Sequence, residues 1–373
     1  MNYSQRHLEL NAQFQLGVDT HLNESNIDIR FFSFKSLPLS PKTKKVTVNT
    51  DDEAINENLS FIYPVFIPEK VKISDKAILL MHGLNERNWS KYLTWAEYLC
   101  EKTGKPVILF PIAFHINRSP QSWSNPHDVR TLLDLRRQQN GEDRSLSFAN
   151  VKFSERISEE PYRFYSSGRQ SINDLRRLFK QIKGGSHSLF LKNTQIDIFA
   201  YSIGAFLAEI TMMTNPYKLF SDSKLFLFCG GGIFSAMFGQ SRSIMDRTAY
   251  EKLYAYYLNE FSIETTLKSA RDKIFNSFNC MISSDRNKTE RESFFKHLGT
   301  KIMGISLLND KVMPFYGMME AIGKDCFESR FNIMDFSFPY THENPFPVGG
   351  QFESTEIDTS FTKVFSQAAQ FLS

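Results

Sequence analysis

Residues Ile196 to Gly204 read IDIFAYSIG: an apolar run, then a serine, then a glycine two places on. A serine on a sharp strand-to-helix turn is strained. Its neighbours two before and two after must be small to avoid clashes. Here those neighbours are Ala200 and Gly204. Glycine is the usual first member, so the methyl of Ala200 asks for slightly more room beside the strand. The spacing small-x-Ser-x-Gly is weak by itself. Its flanks strengthen it, because IDIF reads as a buried strand and AFLAEI as the start of an apolar helix. Ser202, between Tyr201 and Ile203, is therefore expected on an elbow. The plainer alternative is an ordinary serine closing a buried strand.

Working outward, short apolar runs alternate with helical periods. Ala77–Met81, Val107–Phe110, Ile196–Phe199, Leu225–Phe228 and Ile302–Leu307 read as strands buried on both faces. Between them, Tyr92, Trp95, Ala96, Leu99 and Cys100 share one helix face, with Gly104 closing it. Ile172, Leu175, Phe179 and Ile182 share another, and Ile203–Met213 forms a third helix. A final helix is expected over Phe361–Phe371. Parallel strands need such crossovers, so the expected fold is α/β: a mostly parallel, open, twisted sheet with helices on both faces. One domain is expected over residues 1–373. Its N-terminal part, 1–70, is read as strands at Ile29–Phe34, Phe61–Ile67 and Val46–Val48. Two segments interrupt the alternation: a polar loop insertion over 114–165 and a helical cap insertion over 233–298. Both leave from carboxyl ends of strands, where ligands of such sheets bind. In the second, Tyr250, Leu253, Tyr254, Tyr257, Leu258 and Phe261 follow a helical period and are read as the cap's own packing face.

The bulk properties are ordinary for a globular chain of 373 residues, with 41% hydrophobic and 23% charged residues. A net charge of +3, spread among acids, excludes a concentrated nucleic-acid-binding face. The opening residues contain no secretory h-region, and no apolar run is long enough to span a bilayer. The four cysteines, Cys100, Cys229, Cys280 and Cys326, form no CxxC pair. A cytoplasmic protein is expected.

Three further features give Ser202 possible partners. AILLMHGLNER places His82, Gly83 and Leu84 after a buried strand. The turn lets the Leu84 N–H face the site opposite the Ile203 N–H, as a two-donor oxyanion hole. Only His297 and His342 follow Ser202 among the eight histidines. His297 lies at the end of an expected helix, whereas His342 opens a loop after a late apolar stretch and is the better base. The acid is sought on a loop after a strand. Asp310, in GISLLNDKVMP, fits, and Asp335, seven residues before His342, is the rival. Arg118 and Trp123 stand near the site's entrance and are read first as surface residues. GGG at 230–232 is read as a tight turn, not a dinucleotide site.

HGLN after a strand, AYSIG at an elbow, NDKVMP and the late His342 together resemble the α/β-hydrolase superfamily over roughly 75–113, 166–232 and 300–373. That resemblance implies a Ser202, Asp310, His342 triad, an oxyanion hole from Leu84 and Ile203, and a supporting motif of His82, Gly83, Ala200, Tyr201 and Gly204. The expected activity is hydrolysis of a carboxylic ester of a small-molecule acyl substrate through an acyl-enzyme, of carboxylesterase or lipase-like type. No cofactor or metal is called for. An acyltransferase, a peptidase and a non-catalytic binding protein on the same fold are the alternatives.

Overall fold

A computed structural model describes residues 2–38, 52–261, 272–349 and 354–373. The expected strand Val46–Val48 lies outside them. The strands are β1 (Thr20–Leu22), β2 (Ile27–Lys35), β3 (Ser60–Pro68), β4 (Ser74–Met81), β5 (Val107–Leu109), β6 (Phe190–Tyr201), β7 (Leu225–Phe228), β8 (Ile302–Leu307) and β9 (Phe331–Met334). Among the described residues they form one nine-stranded sheet in the order β1-β2-β3-β5-β4-β6-β7-β8-β9. The first three pairings are antiparallel. Everything from β5 across to β9 is parallel. The chain builds outward from β4 in both directions, so β4 and β6 flank the switch point where α/β sheets open a crevice. This is the α/β-hydrolase arrangement.

The alternation of side chains along β6 explains why the sheet is buried on both faces. Ile196, Ile198 and Ala200 join one apolar cluster, and Phe199 and Tyr201 join the other. Asp197, the acid inside IDIF, is fully buried and pairs with Lys105 at 3.0 Å, while also accepting the Lys224 N–H at 2.9 Å. An unpaired charge there would cost several kcal/mol, about 3–5 by analogy with broken buried pairs. Lys105 Nζ also donates to the Leu372 carbonyl, which ties the C-terminal helix Ser354–Leu372 under the sheet.

Three stretches depart from the sequence expectations. Residues 1–70 are not strands alone, because Tyr3–Gln13 forms α1, capped by Asn2. Tyr3, Arg6 and Leu10 recur at helical spacing and are buried; the Tyr3 ring stacks on Phe361, and Arg6 pairs with buried Glu97 at 2.6 Å. The segment 114–165 is not a loop. After the turn of helix Asn56–Leu59 (α2) and the helix Ser90–Thr103 (α3), it carries α4 (Pro126–Asn140) and α5 (Val151–Glu159), and runs into α6 (Tyr162–Lys183). Its polar composition masked them: α4 buries only Val129, Leu133 and Arg136, a stripe too narrow to register as amphipathic. Asn125 and Pro126 nevertheless start it correctly, as N-cap and first helical residue. The C-terminal helix begins at Ser354 rather than Phe361.

Among its described residues, the insertion after β7 carries α8 (Arg247–Ala255), which continues as a π-helical turn over Tyr256–Glu260, and the helices Lys273–Cys280 and Lys288–Leu298. The aromatic stripe packs as expected at its C-terminal end. Tyr257 and Phe261 are fully buried, and the Tyr257 hydroxyl donates to the Pro161 carbonyl at 3.1 Å. At its N-terminal end, Tyr250 and Leu253 instead line a recess over Ser202.

Beneath the elbow, the helix Ile203–Thr214 (α7) carries one costly group. Glu209 is fully buried, and neither carboxyl oxygen has a hydrogen-bond partner among the described residues. Burial pushes its carboxyl well above the ordinary value of 4.5, opposed by the charge of Arg291. Above pH 4.5 the unfolded chain releases this proton while the folded chain keeps it. Stability therefore falls as pH rises toward the folded-state value, by up to about 1.4 kcal/mol per pH unit. Glu209→Gln removes that slope. The melting-temperature difference, variant minus parent, is expected to become more positive between about pH 5 and pH 8; a pH-independent difference would show that Glu209 titrates normally in the fold.

Candidate active site

Ser202 is the residue between β6 and α7, with φ 57° and ψ −127°. A side-chain-bearing residue at positive φ is strained, by about 1–3 kcal/mol, and persists only where its surroundings determine it. Two glycines supply that determination. A Cβ on Gly204 would lie 2.6 Å from the His82 carbonyl oxygen and 2.8 Å from that of Met81. A Cβ on Gly230 would lie 2.4 Å from the Ser202 carbonyl oxygen. The first turn of α7 thus runs over the end of β4, and the end of β7 supports the serine from beneath. Ala200 sits elsewhere: its fully buried methyl packs in the same cluster as Ile203 and Ala205. The contacts that admit only glycine fall on Gly204 and Gly230, which leaves room for alanine at 200.

The structure brings Ser202, His342 and Asp310 into one hydrogen-bonded line. Ser202 Oγ is 2.6 Å from His342 Nε2, and His342 Nδ1 is 2.7 Å from Asp310 Oδ2. Asp310 Oδ1 accepts the Val312 and Met313 N–H groups at 2.9 and 2.8 Å, which holds the carboxylate in place. With Nδ1 facing a carboxylate, the neutral imidazole carries its proton there and presents the Nε2 lone pair to the serine hydroxyl. All three residues are nearly inaccessible, at 2%, 4% and 4% exposure for Ser202, His342 and Asp310, so water competes little for these bonds. Tyr201 adds a second restraint. Its ring stacks on His342 at 5.4 Å between centroids, and its hydroxyl donates to the His342 carbonyl. The rival acid does not approach: Asp335 Oδ1 accepts from Tyr340 Oη at 2.8 Å and Asn309 Nδ2 at 3.0 Å, at the surface. His297 is exposed on the helix Lys288–Leu298.

The HG loop is held by its own histidine. His82 is fully buried; its Nδ1–H donates to the Gly83 carbonyl at 2.8 Å, and its Nε2 accepts the Ile112 N–H at 2.9 Å. Burial, aided by neighbouring His115, lowers its pKa well below the ordinary range, so the ring stays neutral. In a trans peptide C=O and N–H point in opposite directions. Capturing the Gly83 carbonyl therefore turns the Leu84 N–H away from His82. The loop lies against the serine, since a Cβ on Gly83 would sit 3.4 Å from Ser202 Cβ. Ile203, as the first residue of α7, has an N–H with no acceptor inside its helix. A relay absent from the sequence reading completes the support: Gly83 N–H donates to Tyr92 Oη at 2.9 Å, and Tyr92 Oη donates to Glu86 Oε1 at 2.7 Å, which also pairs with Lys91 at 2.5 Å. Tyr92 reads in sequence only as a helix-face residue, and no spacing signals its second task.

Three recesses meet at Leu84 and Phe164. One, of about 430 Å³ including open solvent, contains Ser202 and Ile203 and is walled by Phe234, Met237, Ile244 and Leu253. A second, of about 470 Å³ on the same measure, runs along Ile203, Phe206, Leu207 and Phe278. The third is a cleft of about 670 Å³ with Trp123, Lys152, Arg156 and Arg87 on its walls. Trp123 therefore belongs to a cavity rather than to open surface. Arg118 corrects the sequence reading more sharply. It is fully buried, pairs with Asp174 at 2.9 Å and donates to the Pro111 and Asn58 carbonyls, so it holds the fold together.

The whole chain, residues 1–373, matches the model of a family of unknown function, DUF6051, and belongs to that family. No curated protein matches its sequence. Similar solved structures include a thermostable esterase from Pseudomonas putida ECU1011, at 11% identity, covering 100% of this chain and 88% of that one, with a TM-score of 0.46. An S-formylglutathione hydrolase from Agrobacterium tumefaciens is similar at 11% identity, 96% and 100% coverage and a TM-score of 0.46. A Pyrobaculum calidifontis esterase is similar at 10% identity, 99% and 90% coverage and a TM-score of 0.44. No helix among the described residues is long and apolar enough to cross a membrane.

The contact between Gly230 and the elbow is testable by stability alone. Gly230→Ala forces a methyl against the Ser202 backbone and is expected to cost about 1–3 kcal/mol, the usual range for overpacking. Urea unfolding should show the loss as a lower midpoint; an unchanged midpoint would mean that the elbow yields freely.

Proposed function

We propose that this chain is a serine hydrolase that cleaves a carboxylic ester or a related acyl bond. The observation that carries the reading is the continuous line Ser202 Oγ, His342 Nε2, His342 Nδ1, Asp310 Oδ2, with both hydrogen bonds under 3 Å and the serine at positive φ. Few structural needs call for a buried serine, imidazole and carboxylate in that order. Nucleophilic catalysis does.

In this reading His342 removes the Ser202 proton as Oγ attacks the acyl carbonyl. Asp310 holds the tautomer and stabilises the imidazolium that forms. The Leu84 and Ile203 N–H groups receive the developing oxyanion, and losing one such donor typically costs about 10²–10³ in rate. The imidazolium then protonates the leaving alcohol. Water, deprotonated by His342, attacks the acyl-enzyme and releases the acid. The apolar walls around Ser202 support an ester with at least one hydrocarbon group. The helical insertion over 233–298 serves as the cap of the domain, since Tyr250 and Leu253 reach the serine's recess from it.

A fluorophosphonate probe should label the wild-type protein and leave Ser202→Ala unlabelled. Equal labelling of both would remove Ser202 as nucleophile, and no labelling of either would favour a binding protein on this fold. On a short-chain 4-nitrophenyl ester, Asp310→Asn should lower kcat by about 10²–10⁴, because the imidazole loses its orienting carboxylate. Asp335→Asn should stay within about threefold of wild type; the reverse order would reassign the acid.

A further inference from the structure

The cleft beside Leu84 differs in chemistry from the two apolar recesses it meets. Four cationic residues line it, Arg87, Lys152, Arg156 and Arg163, against a single acid, Glu86. Two of the four are already engaged. Arg156 pairs with Asp52 at 2.9 Å and lies over the Trp123 ring at 4.3 Å, and Arg163 pairs with Glu159 at 2.9 Å. Glu86 is taken up by Lys91 and Tyr92. Arg87 donates to the Phe148 carbonyl at 2.6 Å, and neither it nor Lys152 forms an ion pair among the described residues. Both are partly desolvated, and burial pulls the pKa of each down. Glu159 and Glu155 act on Lys152 from its own helix, but they pair with Arg163 and Arg136 and offset only part of its burial. Cations brought into a cavity with few free counter-charges are costly unless an anion joins them.

A second observation points the same way. His115 lines both this cleft and the recess beside Ile203, and it is 5% exposed. Its Nδ1–H donates to the Ala113 carbonyl at 2.8 Å, and its Nε2 is buried with no partner among the described residues. Burial lowers its pKa to about 4, so at neutral pH Nε2 is a bare acceptor. An empty acceptor beside unpaired cations describes a site built for a polar guest.

We propose that this cleft binds an anionic end of the substrate: the ester cleaved at Ser202 carries a carboxylate or phosphate, held by Lys152 and Arg87. Phe114 and Trp123 flank its chain, and His115 Nε2 accepts from a hydroxyl or N–H near the anion. The inference rests on the hydrolase reading and adds to it the substrate class. One ester group lies over Ser202, a hydrocarbon part fills an apolar recess, and a negative charge fills the cleft.

The test compares four esters in wild-type protein, Lys152→Met and Arg87→Met. They are phenyl hexanoate, phenyl hydrogen adipate, 4-carboxyphenyl hexanoate and 4-phosphonooxyphenyl hexanoate. The quantity read is the kcat/KM of each anionic ester relative to the neutral one within the same protein, so partial unfolding of a variant cancels. At least one anionic ester should lose about ten- to a hundredfold of that ratio in both variants, as expected for a charge-assisted contact. Which ester responds identifies carboxylate or phosphate and the end that bears it. Lys152→Glu should lower the same ratio further than Lys152→Met does. If wild-type protein hydrolyses the esters but no ratio changes in any variant, the cleft inference falls and the hydrolase reading stands. If no ester is hydrolysed and no fluorophosphonate label is taken up, both fall together.

Discussion

The structure around the candidate site depends on one constraint: the backbone of Ser202 must pass through a left-handed turn with no free space on either side. The end of β4 presses against Gly204 from one direction, and Gly230 supports the Ser202 carbonyl from the other. Both contacts belong to the central parallel strands β4, β6 and β7, whose register is set by continuous pairing through Leu80–Phe199 and Phe199–Phe226. The strain of the turn is therefore offset by the most deeply buried part of the molecule. A loop less firmly anchored would relax and turn the serine away from His342.

Orientation around the turn is managed largely by buried side chains that hold backbone groups. His82 fixes a peptide plane by holding one carbonyl, and Tyr92 and Glu86 hold the adjoining N–H. Tyr201 fixes the His342 loop by stacking and by a hydrogen bond to its backbone. His82, Tyr92 and Tyr201 are each fully buried, so the backbone on both sides of Ser202 is held with little freedom. The polar cleft is the exception. Lys152, Arg156 and Arg163 stand in the insertion between β5 and β6, and Arg87 stands in the loop after β4, so all four cations lie outside the strands themselves.

The fold was legible where burial dictates composition. Strands buried on both faces must be apolar throughout, so β7 and β8 fall within the expected limits to the residue. Ser202, Asp310 and His342 were legible because each follows a strand and their chain order is restricted. What was not legible lies where packing is one-sided or long-range. The three buried positions of α4 cannot outweigh its polar surface in any local pattern. Arg118 looks like a surface residue in NRSPQSW, yet Asp174, fifty-six positions away, neutralises it in the core. Lys152 and His115 carry no motif at all, and only the folded arrangement places both on one cavity.

Tyr201 has a consequence for the order in which the candidate site is assembled. It precedes Ser202 by one residue, yet its ring and hydroxyl secure His342, which is 141 positions further along the chain. Synthesis makes the elbow well before the imidazole loop, at roughly 5–20 residues per second, but a domain folds as a unit. The C-terminal helix belongs to that unit, since Phe365 stacks on Phe199 of β6 at 5.4 Å between centroids. The hydrogen-bonded line from Ser202 to Asp310 is therefore a product of the whole fold, closed by segments far apart in the sequence.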